Sequence, residues 1–548
     1  MKTLAILLIS ALSFLAQAKP TIVGNVKGYT LSNSGALIQF SHIAFEGGKV
    51  LAIGDPTLLN QFQDNIFIDG KQKTLIPGLI DSHGHMLGLG ATLLQVDVRE
   101  DASAQKAAMH VRDYAAKNPQ LNWVIGSGWN QVLWPDKAFP TAKQLDEYIS
   151  DTPVWLERVD GHAGWANSKA LELAGVDRNS VDPPGGKIVK DQQGNPTGVL
   201  IDTAMSLVEK YLPKADTVFY QASLDAATAH LLSLGITSMH DAGISQSVYD
   251  FYQNQAAQNQ LKVRIYAMLA ATDPNIESML KAGYINAQND FLSIRSVKVY
   301  GDGALGSRGA ALFEDYSDAP HNRGLLVTQE NQLKPLFDLV LGSKFQLNYH
   351  AIGDRANRLA LDNFEQTFKS LGGEDLRNRV EHTQVISLDD IPRFKLLNII
   401  PAMQPTHATS DMNMAEDRIG KDRLRGAYAW QRFVAQGSPL ALGSDFPVEL
   451  ANPFYGLHAA VTRQDRNNQP DDGWIPSQSL TLLQAFKGFT IDGAYAAHQE
   501  QKLGGLTEGK WADFILIDRD IFSIPPEDIW KTQVLETWVA GSQVFSAQ

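Results

Sequence analysis

Leu75-Ile76-Pro77-Gly78-Leu79-Ile80-Asp81-Ser82-His83-Gly84-His85 is the stretch whose reading decides the fold. Leu75, Ile76, Leu79 and Ile80 read as a buried strand, with Pro77-Gly78 letting the chain bend into it. Side chains alternate along a strand, so Asp81, His83 and His85 share one face of its end. Two imidazoles at that spacing can grip one ion, and neutral imidazole is the commonest protein metal ligand. A bare His-x-His arises by chance in many chains. At the end of an apolar strand it reads as a ligand pair.

Downstream, apolar strands alternate with helical stretches, the pattern of βα units and a parallel sheet. Seven more strands follow at Gly235–Gly243, Val263–Leu269, Ile294–Tyr300, Phe345–His350, Arg379–His382, Ile399–Met403 and Leu440–Asp445. Eight strands predict an α/β protein built on a (β/α)₈ TIM barrel, with chemistry at the strands' C-terminal ends. The connection 86–234 is too long for one helix and predicts an inserted α+β subdomain, with strands at Trp123–Trp129 and Pro153–Glu157. Short alternating runs in 21–74 (Leu37–Phe40, Val50–Ile53, Asn65–Ile68) are matched after residue 503 by Ala512–Ile517, Val534–Val539 and Gln543–Phe545. The two ends are expected to pair into one small β-sandwich, from 19–74 and 503–548, flanking a barrel at 75–502.

Lys2, the apolar run Leu4–Leu15 and Ala16-Gln17-Ala18 have the form of a signal peptide covering residues 1–18. The expectation is an exported protein, periplasmic or secreted. Loss of Lys2 takes the formal charge of the 548-residue chain from −13 to −14. That balance argues against nucleic acid as a partner. No polybasic run suggests a membrane surface, and no later apolar run is long enough to span one. The chain has no cysteine, which excludes disulfides, thiolate metal sites and a lipid-modified cysteine anchor. The expected partner is a small-molecule substrate, with a homodimer left open.

Parity tests which polar groups face the barrel lumen. Ser296, Lys298, Tyr300 and Asp302 oppose Val297 and Val299; Gln346, Asn348 and His350 oppose Leu347 and Tyr349; Ala441, Gly443 and Asp445 oppose Leu440 and Leu442. His83, His85, Lys298, His350, His382 and Asp445 then form one pocket of nitrogen and oxygen ligands, suited to zinc or a similar divalent ion.

These groups in this order on a barrel resemble the amidohydrolase superfamily. The wording of Pro77–His85, Lys298–Arg308, His350-Ala-Ile-Gly-Asp354 and Gly443-Ser-Asp-Phe-Pro447 is similar to the branch that includes the N-substituted formamide deformylases. The likeness spans nearly the whole mature chain, including Gly504–Asp513. It implies that His83 and His85 hold a first ion with Asp445 and that His350 and His382 hold a second. Lys298, carboxylated by CO₂ to N6-carboxylysine, would bridge them. An unmodified ammonium, with an ordinary pKa of about 10.4, would repel cations. One or two divalent ions per chain are expected, zinc foremost. A metal-activated hydroxide would attack a carbonyl, with Asp445 as the general acid/base.

Alternatives stay open. A one-metal deaminase or a lactone/ester hydrolase would use the same barrel, and Lys298 would then be a structural lysine paired with Asp302 or a neighbouring carboxylate. A non-catalytic binding or regulatory protein would keep the fold without turnover. His162, His240, Arg308 and Trp129 are further candidates for contacting substrate; Trp129 and Trp134 read equally as a wall of an apolar pocket or as core of the insertion. Gly301-x-Gly303-x-x-Gly306 matches a dinucleotide fingerprint in form, but no Rossmann unit surrounds it. It reads as a flexible loop over the site.

Overall fold

The computed structural model describes residues 19–213 and 216–547. The signal peptide expected at 1–18 lies outside the described residues. Eight parallel strands form the barrel: Leu79–Gly84, Ile236–Ile244, Arg264–Ala270, Leu292–Tyr300, Gln346–Ala351, Arg379–His382, Ile400–Met403 and Ala441–Leu442. The last strand is only two residues long, and closure onto the first runs through a parallel bridge between Gly84 and Phe446. Outward residues of the strands, such as Val297, Val299, Leu347 and Tyr349, are fully buried beneath the helical layer. The helix Asp354–Leu371 shows how the sequence builds that layer. Ala356, Ala360, Leu361, Phe364 and Phe368 fall on one face at helical spacing and are buried.

The opening stretch is two strands rather than one. Thr74–Pro77 pairs antiparallel with Phe514–Ile517 and parallel with Lys27–Leu31, whereas Leu79–Gly84 pairs with Ile236–Ile244 in the barrel. The change of sheet falls at Gly78, where a Cβ would lie 2.2 Å from Thr237 Oγ1, so only glycine fits. Leu75–Pro77 therefore belongs to the sandwich, and the barrel begins after it. Both chain ends contribute to the sandwich: one sheet holds Thr21–Gly24, His42–Glu46, Lys49–Gly54 and Ile66–Asp69, and the other six strands including Phe514–Ile517 and Val534–Val539. Val23, Ile43, Phe45, Leu75, Phe514 and Trp538 form its core.

The long connection after the first strand holds a six-stranded sheet of its own, in which Val124–Trp129 and Val154–Arg158 pair parallel. Its flanking helices, Met86–Leu94 and Thr217–Ser233, belong to the barrel core through Met86, Leu89, Leu224 and Leu231. Among the described residues no helix is long and apolar enough to cross a membrane.

Candidate metal centre

Asp445 is the hub. It follows the last strand with φ +64°, and His382, at the end of the sixth, has φ +73°. Non-glycine residues held there store about 1–3 kcal/mol each and cluster at functional sites. Around Asp445, His85 Nε2 lies 3.2 Å and His83 Nε2 3.7 Å from Oδ1. His407 Nε2 lies 3.6 Å and His382 Nδ1 3.9 Å from Oδ2. Two triplets with donor atoms within 4.8 Å of one another share this carboxylate: His83, His85 and Asp445, and His382, His407 and Asp445.

The first ligand pair is braced from below. His83 Nδ1–H donates to the Glu381 carboxylate, and Lys298 Nζ lies 3.0 Å from His83 Nε2. Glu381 also pairs with Arg379, whose Nε is 2.7 Å from Oε1. Asp81, by contrast, is a weld between the barrel's first and last strands. It accepts from Ser444 Oγ (2.6 Å), Ser444 N and His83 N, and burial pushes its carboxyl up to about 7. Gly443 lets that carboxylate approach, since a Cβ there would sit 2.5 Å from Asp81 Oδ1 and 2.7 Å from the His83 backbone nitrogen. Gly443→Ala is expected to cost about 1–3 kcal/mol by overpacking. It should also weaken metal retention, read together by urea denaturation and elemental analysis.

Burial lowers the basicity of His83, His350 and His382, so these rings are neutral with a lone pair to offer. Burial alone would raise the Asp445 carboxyl, but His83, His85 and His407 hold it well below the usual carboxylate range. Burial pushes the Lys298 ammonium down to about 8, against the opposing pull of Glu381 and Asp445. Asp445 Oδ1 and His407 Nε2 are buried with no hydrogen-bond partner among the described residues. Around a tetrahedral ion with bonds of about 2.0–2.1 Å, donors stand roughly 3.3 Å apart. The spacing here fits such an ion, and imidazole with carboxylate and no sulfur suits zinc-like metals.

His350 reaches the same space, but its Nδ1 lies 3.2 Å from Asp302 Oδ1, misaligned for a hydrogen bond, and it belongs to neither triplet. Asp302 does not pair with Lys298. Its carboxylate accepts from Ala311 N, Ile352 N and Gly353 N. Those bonds, with Gly301–Ser307 buried, make the loop after the fourth strand a packed wall instead of a flexible cover.

Two cavities meet at the centre. One of about 320 Å³ is lined by His162, His350, His382, Gln384, His407 and Asp445. The other, about 620 Å³, reaches His83, His85, Lys298 and Tyr300, and extends to Glu157 and Glu209 of the insertion. His162 faces both. Burial opposes its charge, but Asp202, 2.6 Å from Nδ1, raises it to about 9 with help from Asp160 and Asp302.

Three of the residues expected to contact substrate lie elsewhere. Arg308 forks onto Asp318 at 3.0 Å, away from both cavities. His240 is buried with Nδ1 against Arg379 and lines neither cavity. Trp129 lies in the insertion's core, its indole donating to Leu156 O. Trp134 packs beside it, 6.3 Å between ring centroids. Glu381, Arg379 and His407 are the site residues that sequence reasoning passed over. Glu381 stood one residue before a recognised ligand, and Gln404-Pro405-Thr406-His407 carried a helix-start signal directly after a strand.

Known proteins resemble the chain along most of its length. The chain is 32% identical over 533 residues to the protein LONG AFTER FAR-RED 3 of Arabidopsis thaliana, covering 94% of this chain and 90% of that one. It is 24% identical over 517 residues to the N-substituted formamide deformylase of Arthrobacter pascens, covering 91% and 94%. The crystal structure of an uncharacterized metal-dependent hydrolase from Pyrococcus horikoshii OT3 superposes with a TM-score of 0.75 at 25% identity, covering 93% of this chain and 99% of that one. With residues 67–545 matching the amidohydrolase family as a whole, this chain belongs to that family of metal-dependent hydrolases.

Proposed function

We propose that this protein is an exported amidohydrolase that cleaves an amide-type C–N bond of a small molecule. The observation that carries the reading is Asp445, buried among four histidines where two cavities meet, with its carboxyl held low by them. Zinc held by His83, His85 and Asp445, and a second ion beside His382 and a carboxylated Lys298, would supply Lewis acidity toward a carbonyl. Asp445 accepts a proton from the attacking water and delivers it to the leaving nitrogen. Glu381 keeps the His83 tautomer with its lone pair on Nε2, as carboxylates behind ligating histidines do. The charged His162 ring, fixed by Asp202, donates to a substrate oxygen, and the cavities take the two halves of the molecule across the scissile bond. The amide reading is supported by the relative named N-substituted formamide deformylase. Export rests on the form of residues 1–18.

The test is the metal content of protein purified without chelators, reloaded with zinc and bicarbonate, followed by turnover on N-acyl compounds and cyclic amides. Two ions per chain and amide hydrolysis are expected. Lys298→Ala should lose an ion and regain it with a short carboxylic acid in excess. Because His83, His85 and Asp445 form a complete triplet by themselves, one ion with deamination would favour the deaminase reading instead. No bound ion in the reloaded wild type would sink the hydrolase.

A further inference from the structure

The insertion carries two carboxylates into the larger cavity. Glu157 lies on the strand Val154–Arg158, and Glu209 ends the short helix Ser206–Glu209. Side chains two apart on a strand share a face, so Glu157 follows Trp155. Trp155 packs in one apolar core with Met205 and Val208, which brings the helix and its glutamate to the strand's end. Both glutamates are half-buried and line the cavity of about 620 Å³ that reaches His83, His85, Lys298 and Asp445. Ser127 stands beside Glu157 in register on the neighbouring strand and lines the same cavity. Its Oγ is buried with no hydrogen-bond partner among the described residues.

The other cations lining this cavity are engaged elsewhere. Arg158 binds Asp160 and Asn130, Arg99 donates to Pro447 O, His162 is held by Asp202, and Lys298 lies against His83. Burial raises both glutamate carboxyls, Glu209 to about 7 with Glu157 adding to the rise; at Glu157 a smaller pull from Trp155 and His85 opposes it. Two carboxylates turned into one cavity oppose each other's ionisation, and a cation between them removes that cost. A primary ammonium has three N–H donors and no acceptor, and Glu157, Glu209 and Ser127 Oγ offer it three acceptors.

We propose that Glu157, Glu209 and Ser127 form an ammonium subsite, and that the substrate is an amide carrying a primary amine on the half that enters this cavity. The inference rests on the amidohydrolase reading above for the bond that is cleaved. The glutamates select the substrate and take no part in the chemistry.

Calorimetric titration of the full-length, zinc-reloaded protein with 1-aminopentane and with 1-pentanol reads ammonium binding apart from turnover. Circular dichroism melts and elemental analysis establish that Glu157→Gln and Glu209→Gln fold and hold the wild-type metal content. The wild type is expected to bind the amine more tightly than the alcohol. Each variant should weaken the amine by about 10–100-fold, the loss of one charge-assisted hydrogen bond, and leave the alcohol unchanged. Two substrate pairs read the same preference in kcat/KM, one for each half of the amide: N-(5-aminopentyl)acetamide against N-hexylacetamide, and 6-amino-N-butylhexanamide against N-butylheptanamide. In one pair the amine should be preferred, and that preference should fall by a similar factor in each variant. An amine that binds no better than the alcohol, or equally well in both variants, overturns the subsite. A metal ion present in the wild type and missing from both variants overturns it too, because the carboxylates would then hold that ion. Amine binding that is lost in the variants, with no amide of either pair hydrolysed by the wild type, supports the subsite and removes the amide reading alone.

Discussion

Asp445→Asn is expected to lower turnover per bound metal ion by about 10²–10⁴-fold, the range typical of a lost general acid/base. The amide is nearly isosteric and keeps one carbonyl oxygen, so the fold should survive. It cannot accept a proton at neutral pH, however, and it no longer offers two equivalent oxygens to the histidines on either side. Turnover is therefore normalised to metal content, which separates a lost ligand from a lost base. A variant that binds metal and still hydrolyses N-acyl substrates at the wild-type rate would show that the proton travels another way.

The largest effect on stability is expected from Glu381→Ala. Glu381 is fully buried between Arg379 and His83, with Lys298 near enough to be held more basic by it. Removing one partner of a buried ion pair leaves an uncompensated charge and typically costs about 3–5 kcal/mol. The alanine variant should show that loss in urea denaturation of the metal-free protein, where metal binding contributes nothing. Losing the carboxylate behind a ligating histidine should also weaken metal affinity by about 10–100-fold. A metal-free stability within about 1 kcal/mol of the wild type would mean that Arg379 finds another partner, since its Nη2 already donates to Ser82 O at 2.6 Å.

Why Glu381 escaped notice and His382 did not is a matter of strand geometry. Period-two alternation allows only one of two adjacent residues to face the lumen. His382 leaves the strand at positive φ, so both it and Glu381 reach the interior. His407 lies on no strand at all, and the parity test could not reach it. Arg308 looked available because Asp318, ten residues on, and Arg418 on a distant helix meet only after the loop folds. Trp129 looked like a cavity wall because an aromatic at a strand end does not reveal which layer covers it; here Trp134 and Trp165 do.

The sequence by itself determined the barrel, the strand parity that turned Lys298, His350 and Asp445 inward, and the His83–His85 pair. These depend on local periodicities of two and 3.6 residues, which survive without knowledge of any partner. Only the tertiary structure decided which groups share an oxygen of Asp445, that Glu381 stands behind His83, and that a sheet of the insertion brings His162 against the barrel mouth. Those contacts join residues separated by tens to hundreds of positions, and pairing at that range is set by packing of the whole chain, not by any local pattern.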